Sequence, residues 1–183
     1  MTAPGAGLTA KQRIVPMIQG ECRASDEADV VLTTLLGSCV SVCLCDPVAA
    51  VGGMNHFLLP GGREARSGGE RYGVNAMEVL INGLLKLGGR RARFEAKLFG
   101  GAALGDGMGR IGAENARFAL DFLKTERIPC ISSSLGGLRP RRIRYVPTTG
   151  LASQSFVRDA AAVPMPLAPP ISVGDVDLFE AGG

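Results

Sequence analysis

The sequence predicts a single layered α/β or α+β domain, and three observations carry that prediction. From Val30 to Leu59 the chain is almost continuously apolar or small, rich in Val and Leu, the pattern of strands buried on both faces. Further along, apolar residues recur at helical spacing in two segments, with alternating segments beside them. The 183 residues include 26 glycines and no tryptophan, so the core is aliphatic with many tight turns, which favours a sheet over a helical bundle. A chain of this length buries a sizeable core as one domain.

Gly37, Asp46-Pro47 and Gly52-Gly53 divide the apolar stretch into successive strands joined by tight turns, and Pro60-Gly61-Gly62 stops it. Met77, Leu80, Ile81, Leu84 and Leu85 form the apolar stripe of a helix whose outer face carries Glu78, Asn82 and Lys86, with Gly88-Gly89 as its stop. Ala92, Phe94, Ala96 and Leu98 alternate with Arg93, Glu95 and Lys97, which predicts a half-buried strand ended by Gly100-Gly101. A second helix is expected over Glu114 to Arg127, burying Phe118, Phe122 and Leu123. A strand near Ile128 to Ser133 follows, then an alternating strand over Arg142 to Val146. Residues 1–12 are small and polar, and 160–183 carry Pro164, Pro166, Pro169 and Pro170 without periodicity. Both read as tails around a domain at 13–159.

The net charge is +3, with positive residues at Arg90, Arg91 and Arg93 and again at Arg139, Arg141, Arg142 and Arg144. That balance does not indicate a general nucleic-acid binder, and the second cluster reads as a solvated strand face. The opening residues lack a basic stretch followed by an apolar run, and no segment approaches the roughly 18 uninterrupted apolar residues of a membrane span. A cytosolic protein is expected. Its five cysteines, Cys22, Cys39, Cys43, Cys45 and Cys130, form no regular framework and would remain thiols.

His56 is the single histidine, so any imidazole chemistry rests on it. Cys39 follows Gly37-Ser38 at the junction of two apolar strands. A glycine-permitted turn there exposes a thiol together with backbone N–H groups, which is what a nucleophile requires. Cys43, Cys45 and Cys130 read as small buried hydrophobes. Cys39, Cys43 and Cys45 share strand parity, so a metal-binding sensor using them with His56 is one alternative, although the spacing lacks the paired hooks of structural zinc. A Cys39–His56 pair in adjacent strands is the sharper idea, since an ordinary thiol needs a base or cation nearby to supply thiolate.

Leu36-Gly37-Ser38-Cys39-Val40, Cys45-Asp46-Pro47-Val48 and Gly52-Gly53-Met54-Asn55-His56-Phe57-Leu58-Leu59-Pro60 together resemble the signature of the CheD family of receptor-glutamine deamidases. Arg71-Tyr72-Gly73, Asn75-Ala76-Met77, Lys97-Leu98-Phe99-Gly100-Gly101-Ala102, Ile111-Gly112 with Asn115, and Gly136-Gly137 before Arg141 extend the resemblance over Ile14 to Gly150. Ser134 stands where the family usually has an acid, and Pro140 where it usually has glycine. The resemblance implies a layered α/β/α fold with a central sheet and a Cys–His–Thr triad. In this sequence that triad is Cys39, His56 and Thr33, with Thr34 next to the last. It implies hydrolysis of glutamine side chains on the cytoplasmic helices of methyl-accepting chemoreceptors, through a Cys39 thiolate, a thioester and an imidazolium at His56, without cofactor or metal. It also implies a CheC-type phosphatase as a partner of some members, and a catalytically silent adaptor as the alternative role.

Overall fold

Even-numbered Val40, Val42 and Leu44 belong to one buried apolar cluster, while odd-numbered Cys39 and Cys43 belong to another. Side chains along a strand alternate between faces, so this segment is covered on both sides. The computed structural model describes residues 12–59, 69–104 and 108–157. Apart from Gln12, the two expected tails lie outside them.

In chain order the strands are β1 (Arg13–Pro16), β2 (Cys22–Ser25), β3 (Val30–Leu36), β4 (Val40–Asp46) and β5 (Val51–Asn55), then β6 (Glu95–Gly100), β7 (Cys130–Leu135), β8 (Arg141–Val146) and β9 (Leu151–Phe156). Helix α1 (Gly69–Lys86) precedes β6 and helix α2 (Met108–Thr125) precedes β7. One sheet has the order β2-β5-β4-β6-β7 and the other β1-β3-β8-β9. Pairing is antiparallel except for β6 with β7 and β1 with β3.

The class is α+β around a central five-stranded sheet. Both described helices cover one face of that sheet, through Met77, Leu80, Ile81 and Leu84 of α1 and Ala119 and Leu123 of α2. The other face is covered by the four-stranded sheet, with Leu32, Leu36, Ile143 and Tyr145 packed on Cys43, Met54 and Phe99. Among the described residues, then, the layers run helix, sheet, sheet in place of the helix, sheet, helix of an α/β/α sandwich.

Several local expectations change. Leu85 is exposed on the rim of α1, although the helix stops as expected, with Gly88 at φ +91° and the Gly89 N–H donating to Leu84 O at 2.9 Å. Arg91–Arg93 form a 3-10 turn that leaves Ala92 exposed, and the strand begins at Glu95. Phe118 and Phe122 are partly buried, Phe118 meeting Phe57 edge-on at 5.9 Å. Cys130 is exposed because β7 is an edge strand. Arg141 is not part of a solvated face. It lies on the inner side of β8, its guanidinium donating to the carbonyls of Ser134 and Gly136 and to Ser134 Oγ. The turn carrying Ser134 and Gly136-Gly137 therefore folds around Arg141.

Asp46 ties the β4–β5 turn. Its carboxylate accepts from the N–H groups of Val48 and Ala49 at 3.0 Å, from Arg90 N–H at 2.8 Å and from Arg93 Nη2 at 2.6 Å. Burial alone would raise its pKa, but Arg93 and the three N–H donors outweigh it and hold the acid down at about 2. A depressed carboxyl pKa stabilises the fold above the unfolded value and loses that contribution as pH falls through the folded one. Asp46→Ala leaves Arg93 and three N–H groups without their acceptor, so it is expected to cost about 3 kcal/mol of stability at neutral pH. Urea titration checks this, and the gap from the parent should narrow toward pH 2.

Candidate functional site

The strand pairing that runs Cys43 with Met54 and Leu44 with Gly53 continues to an isolated bridge between Val40 and Phe57. Val40 and Phe57 exchange both backbone hydrogen bonds at 3.0 Å. In that register Cys39 stands opposite Leu58 and His56 opposite Ser41. Cys39 and His56 are thus diagonal neighbours on one face, a separation that long side chains span. The face is the one turned toward the four-stranded sheet.

Thr34 on β3 faces them from that second sheet. Its hydroxyl lies 2.8 Å from His56 Nδ1 and 2.8 Å from Met17 O. A carbonyl oxygen can only accept, so the single hydroxyl proton goes to Met17 and the Thr34 oxygen accepts from Nδ1–H. Nδ1 therefore carries the proton, and Nε2 is left with its lone pair. Nε2 is buried and has no hydrogen-bond partner among the described residues. Thr33 does not meet His56: strand alternation turns it the other way, and its hydroxyl donates to Ile143 O at 2.7 Å. The structure joins His56 to Thr34, sets Cys39 diagonal to His56 on the same face, and leaves Thr33 bridging β3 to β8.

The loop after β6 fixes the cysteine. Gly101 N–H donates to Cys39 O and Ala102 N–H to Gly37 O, both at 2.8 Å. Gly100 sits at φ +114°, and a Cβ there would fall 2.1 Å from Cys39 O. Only glycine permits this approach. With their carbonyl side so engaged, the N–H groups of Ser38 and Cys39 donate to no backbone carbonyl among the described residues. Such free N–H groups beside a thiol are the elements of an oxyanion hole.

Gln19 reaches the thiol, and Tyr72 lies near it. Cys39 Sγ donates to Gln19 Oε1 at 3.5 Å, and the neighbouring Gly20 N–H donates to His56 O at 2.7 Å. Tyr72, near the start of α1, has its phenol 3.5 Å from where a Gly20 Cβ would stand, and burial with the neighbouring Cys39 pushes that phenol upward. Gln19 stands in the polar stretch Ile18-Gln19-Gly20-Glu21, where nothing in the sequence marks it. Tyr72 belongs to a matched family segment but carries no chemical signal of its own.

Burial governs the electrostatics. It pushes the Cys39 thiol up to about 11, with the residue's own N–H working the other way, and it pushes His56 down to about 4. Burial therefore favours the neutral thiol and the neutral imidazole. Cys43 is buried beneath the site with its thiol raised still further, again chiefly by burial. Among the described residues no group of three or more His, Cys, Asp or Glu side chains converges as metal ligands would.

An α+β domain holding a thiol and an imidazole at the edge of an inter-sheet layer is the class of protein defined here. The family described as CheD, chemotactic sensory transduction, matches residues 58–155. A probable chemoreceptor glutamine deamidase CheD of Caulobacter vibrioides is 49% identical over 173 residues, covering 90% of this chain and 92% of that one. Proteins of the same name from Agrobacterium fabrum and Rhizobium rhizogenes are 48% and 55% identical, covering 94% and 80% of this chain and 99% and 82% of theirs. Among solved structures, the Bacillus licheniformis hypothetical protein YfiH aligns with a TM-score of 0.41 at 17% identity, over 69% of this chain and 60% of that one. The chain belongs to the CheD family.

Proposed function

We propose that this protein deamidates glutamine side chains on the cytoplasmic helices of methyl-accepting chemoreceptors, using Cys39 as nucleophile, His56 as acid and base, and Thr34 as the residue that orients the imidazole. The observation that carries the residue assignment is the Thr34 contact with Nδ1, which leaves an unpartnered Nε2 on the face shared with Cys39. That tautomer is the one a general base at Nε2 needs.

The reaction follows from these groups. Nε2 takes the Cys39 proton as sulfur bonds to the carboxamide carbon, and the carbonyl electron pair moves onto oxygen, held by the N–H groups of Ser38 and Cys39. The imidazolium so formed keeps its Nδ1–H hydrogen bond to Thr34, whose hydroxyl continues to donate to Met17 O, so both protons stay where they are. When the oxyanion collapses, the C–N bond breaks and Nε2–H protonates the departing ammonia, leaving a thioester. Nε2 then takes a proton from water as its oxygen attacks the thioester. The C–S bond breaks, sulfur recovers a proton, and glutamate is released. No helix among the described residues is long and apolar enough to cross a membrane.

The test is incubation with receptor helix peptides, following ammonia and a mass gain of about 1 Da at glutamine, the difference between a carboxamide and a carboxylic acid, consistent with hydrolysis through a covalent thioester. Peptide or CheC-type phosphatase binding with no mass gain would overturn the enzymatic reading and leave the adaptor role. Within the same assay Thr34→Val is expected to lower kcat by about 10 to 100-fold, because the imidazole loses its orienting acceptor. Thr33→Val, which breaks only the contact with Ile143, should stay near the parent rate. The reverse ranking would return the third position to Thr33.

A further inference from the structure

The strand register that pairs Val40 with Phe57 places Ser38 opposite Leu59, and in an antiparallel ladder this would be the next pair to exchange backbone hydrogen bonds. They do not. Leu59 N–H donates instead to Asn115 Oδ1 at 2.7 Å, and Asn115 Nδ2 donates to Ser38 O at 3.1 Å. The carboxamide of Asn115, completely buried on α2, has the donor and acceptor of a peptide group and occupies the place where the two strands would meet. We infer that Asn115 is a positioning residue, a wedge that holds the ladder open beside Cys39 and so keeps the Ser38 N–H from pairing with Leu59 O.

The consequence is chemical. Closed pairing at this position would commit the Ser38 N–H to the sheet and draw the segment flanking Cys39 against Leu59. With the wedge in place, the Ser38 N–H has no backbone acceptor among the described residues and remains available to a developing oxyanion. The wedge also fixes the distance between the loop that carries the nucleophile and the segment that follows His56. Asn suits the position because it satisfies both strands at once, whereas a hydrophobic residue large enough to hold the strands apart would leave a buried N–H and a buried C=O unpaired.

The catalytic part of this inference rests on the deamidase reading, and the wedge itself can be measured without it. Asn115→Ala removes the inserted amide. The expected result is a kcat about 100-fold lower with KM changed little, the loss typical of one oxyanion donor. In hydrogen exchange the Ser38 amide should become slower as the strands close and pair. Leu123→Ala, a core truncation on the same helix remote from these loops, serves as the control for lost stability and should leave kcat unchanged at a temperature where it is folded. An Asn115→Ala protein with parental kcat, or with Ser38 exchanging as fast as before, overturns the wedge. If the parent proves inactive on every receptor peptide, the deamidase reading fails while the exchange measurement still decides the wedge.

Discussion

Cys39→Ala is expected to remove deamidation by more than about 10³-fold while leaving the fold in place. The reasoning is that a carboxamide is a poor electrophile, and here the covalent route through sulfur divides its hydrolysis into two accessible steps. Without the sulfur, the N–H groups of Ser38 and Cys39 can still polarise a carbonyl and His56 can still accept a proton, but no group forms the intermediate. Cys39→Ser should be nearly as inactive, since a hydroxyl is harder to deprotonate than a thiol already raised to about 11. Alanine removes one sulfur atom from a site at the edge of the inter-sheet layer, at a cost on the order of 1 kcal/mol. Melting and receptor-peptide binding should therefore stay close to the parent. Turnover surviving in Cys39→Ala would require another nucleophile. Cys22 is a poor replacement: it pairs with Asn55 on β5, packs toward the helical layer, and has its thiol pushed up to about 12 by burial. A parental rate in Cys39→Ala would refute the mechanism.

Cys39 and His56 were legible as candidates because each is singled out locally, Cys39 by the preceding Gly37-Ser38 and His56 by being the sole imidazole. Which threonine meets His56 was not legible, because Thr33 and Thr34 point to opposite sides of β3 and the contact depends on which side the second sheet lies. Nothing in the Val30–Leu36 run distinguishes the two. The same gap explains the layer order. Alternation in Val40–Asp46 shows that both faces are covered, but a second sheet and a second layer of helices leave the same mark on that strand. Three strands escaped notice for a different reason. β1 and β2 are four residues long, and β9, Leu-Ala-Ser-Gln-Ser-Phe, is an edge strand whose burial is almost uniformly low. They are held by backbone pairing, which leaves no hydrophobic period. Arg141 was misread because an inward arginine looks, in a row of arginines, like its outward neighbours Arg142 and Arg144. Asn115 could be seen as part of a matched segment, yet its role depends on a register between Ser38 and Leu59 that only the folded sheet defines.

His56→Ala is expected to reduce deamidation by about 10³ to 10⁴-fold, and it should also change how stability responds to pH. The first effect follows from the neutral pair that burial favours: with Cys39 almost wholly protonated near pH 7, the proton must be removed as sulfur attacks, and His56 is the only imidazole available. The second follows from burial, which holds His56 at about 4 in the fold against an ordinary value of 6.5. Between those values the unfolded chain binds a proton that the folded protein refuses. Folding stability in the parent should therefore fall as pH drops from about 6.5 toward 4, by up to about 3 kcal/mol from this group. Above pH 6.5 both states are neutral and the contribution is constant. Denaturant titrations across this range should show the slope in the parent and a flatter profile in His56→Ala, whatever the variant's absolute stability. A steep decline retained in the variant would place the acid sensitivity in other groups. Parental turnover in it would show that Cys39 loses its proton by a route that does not pass through the imidazole.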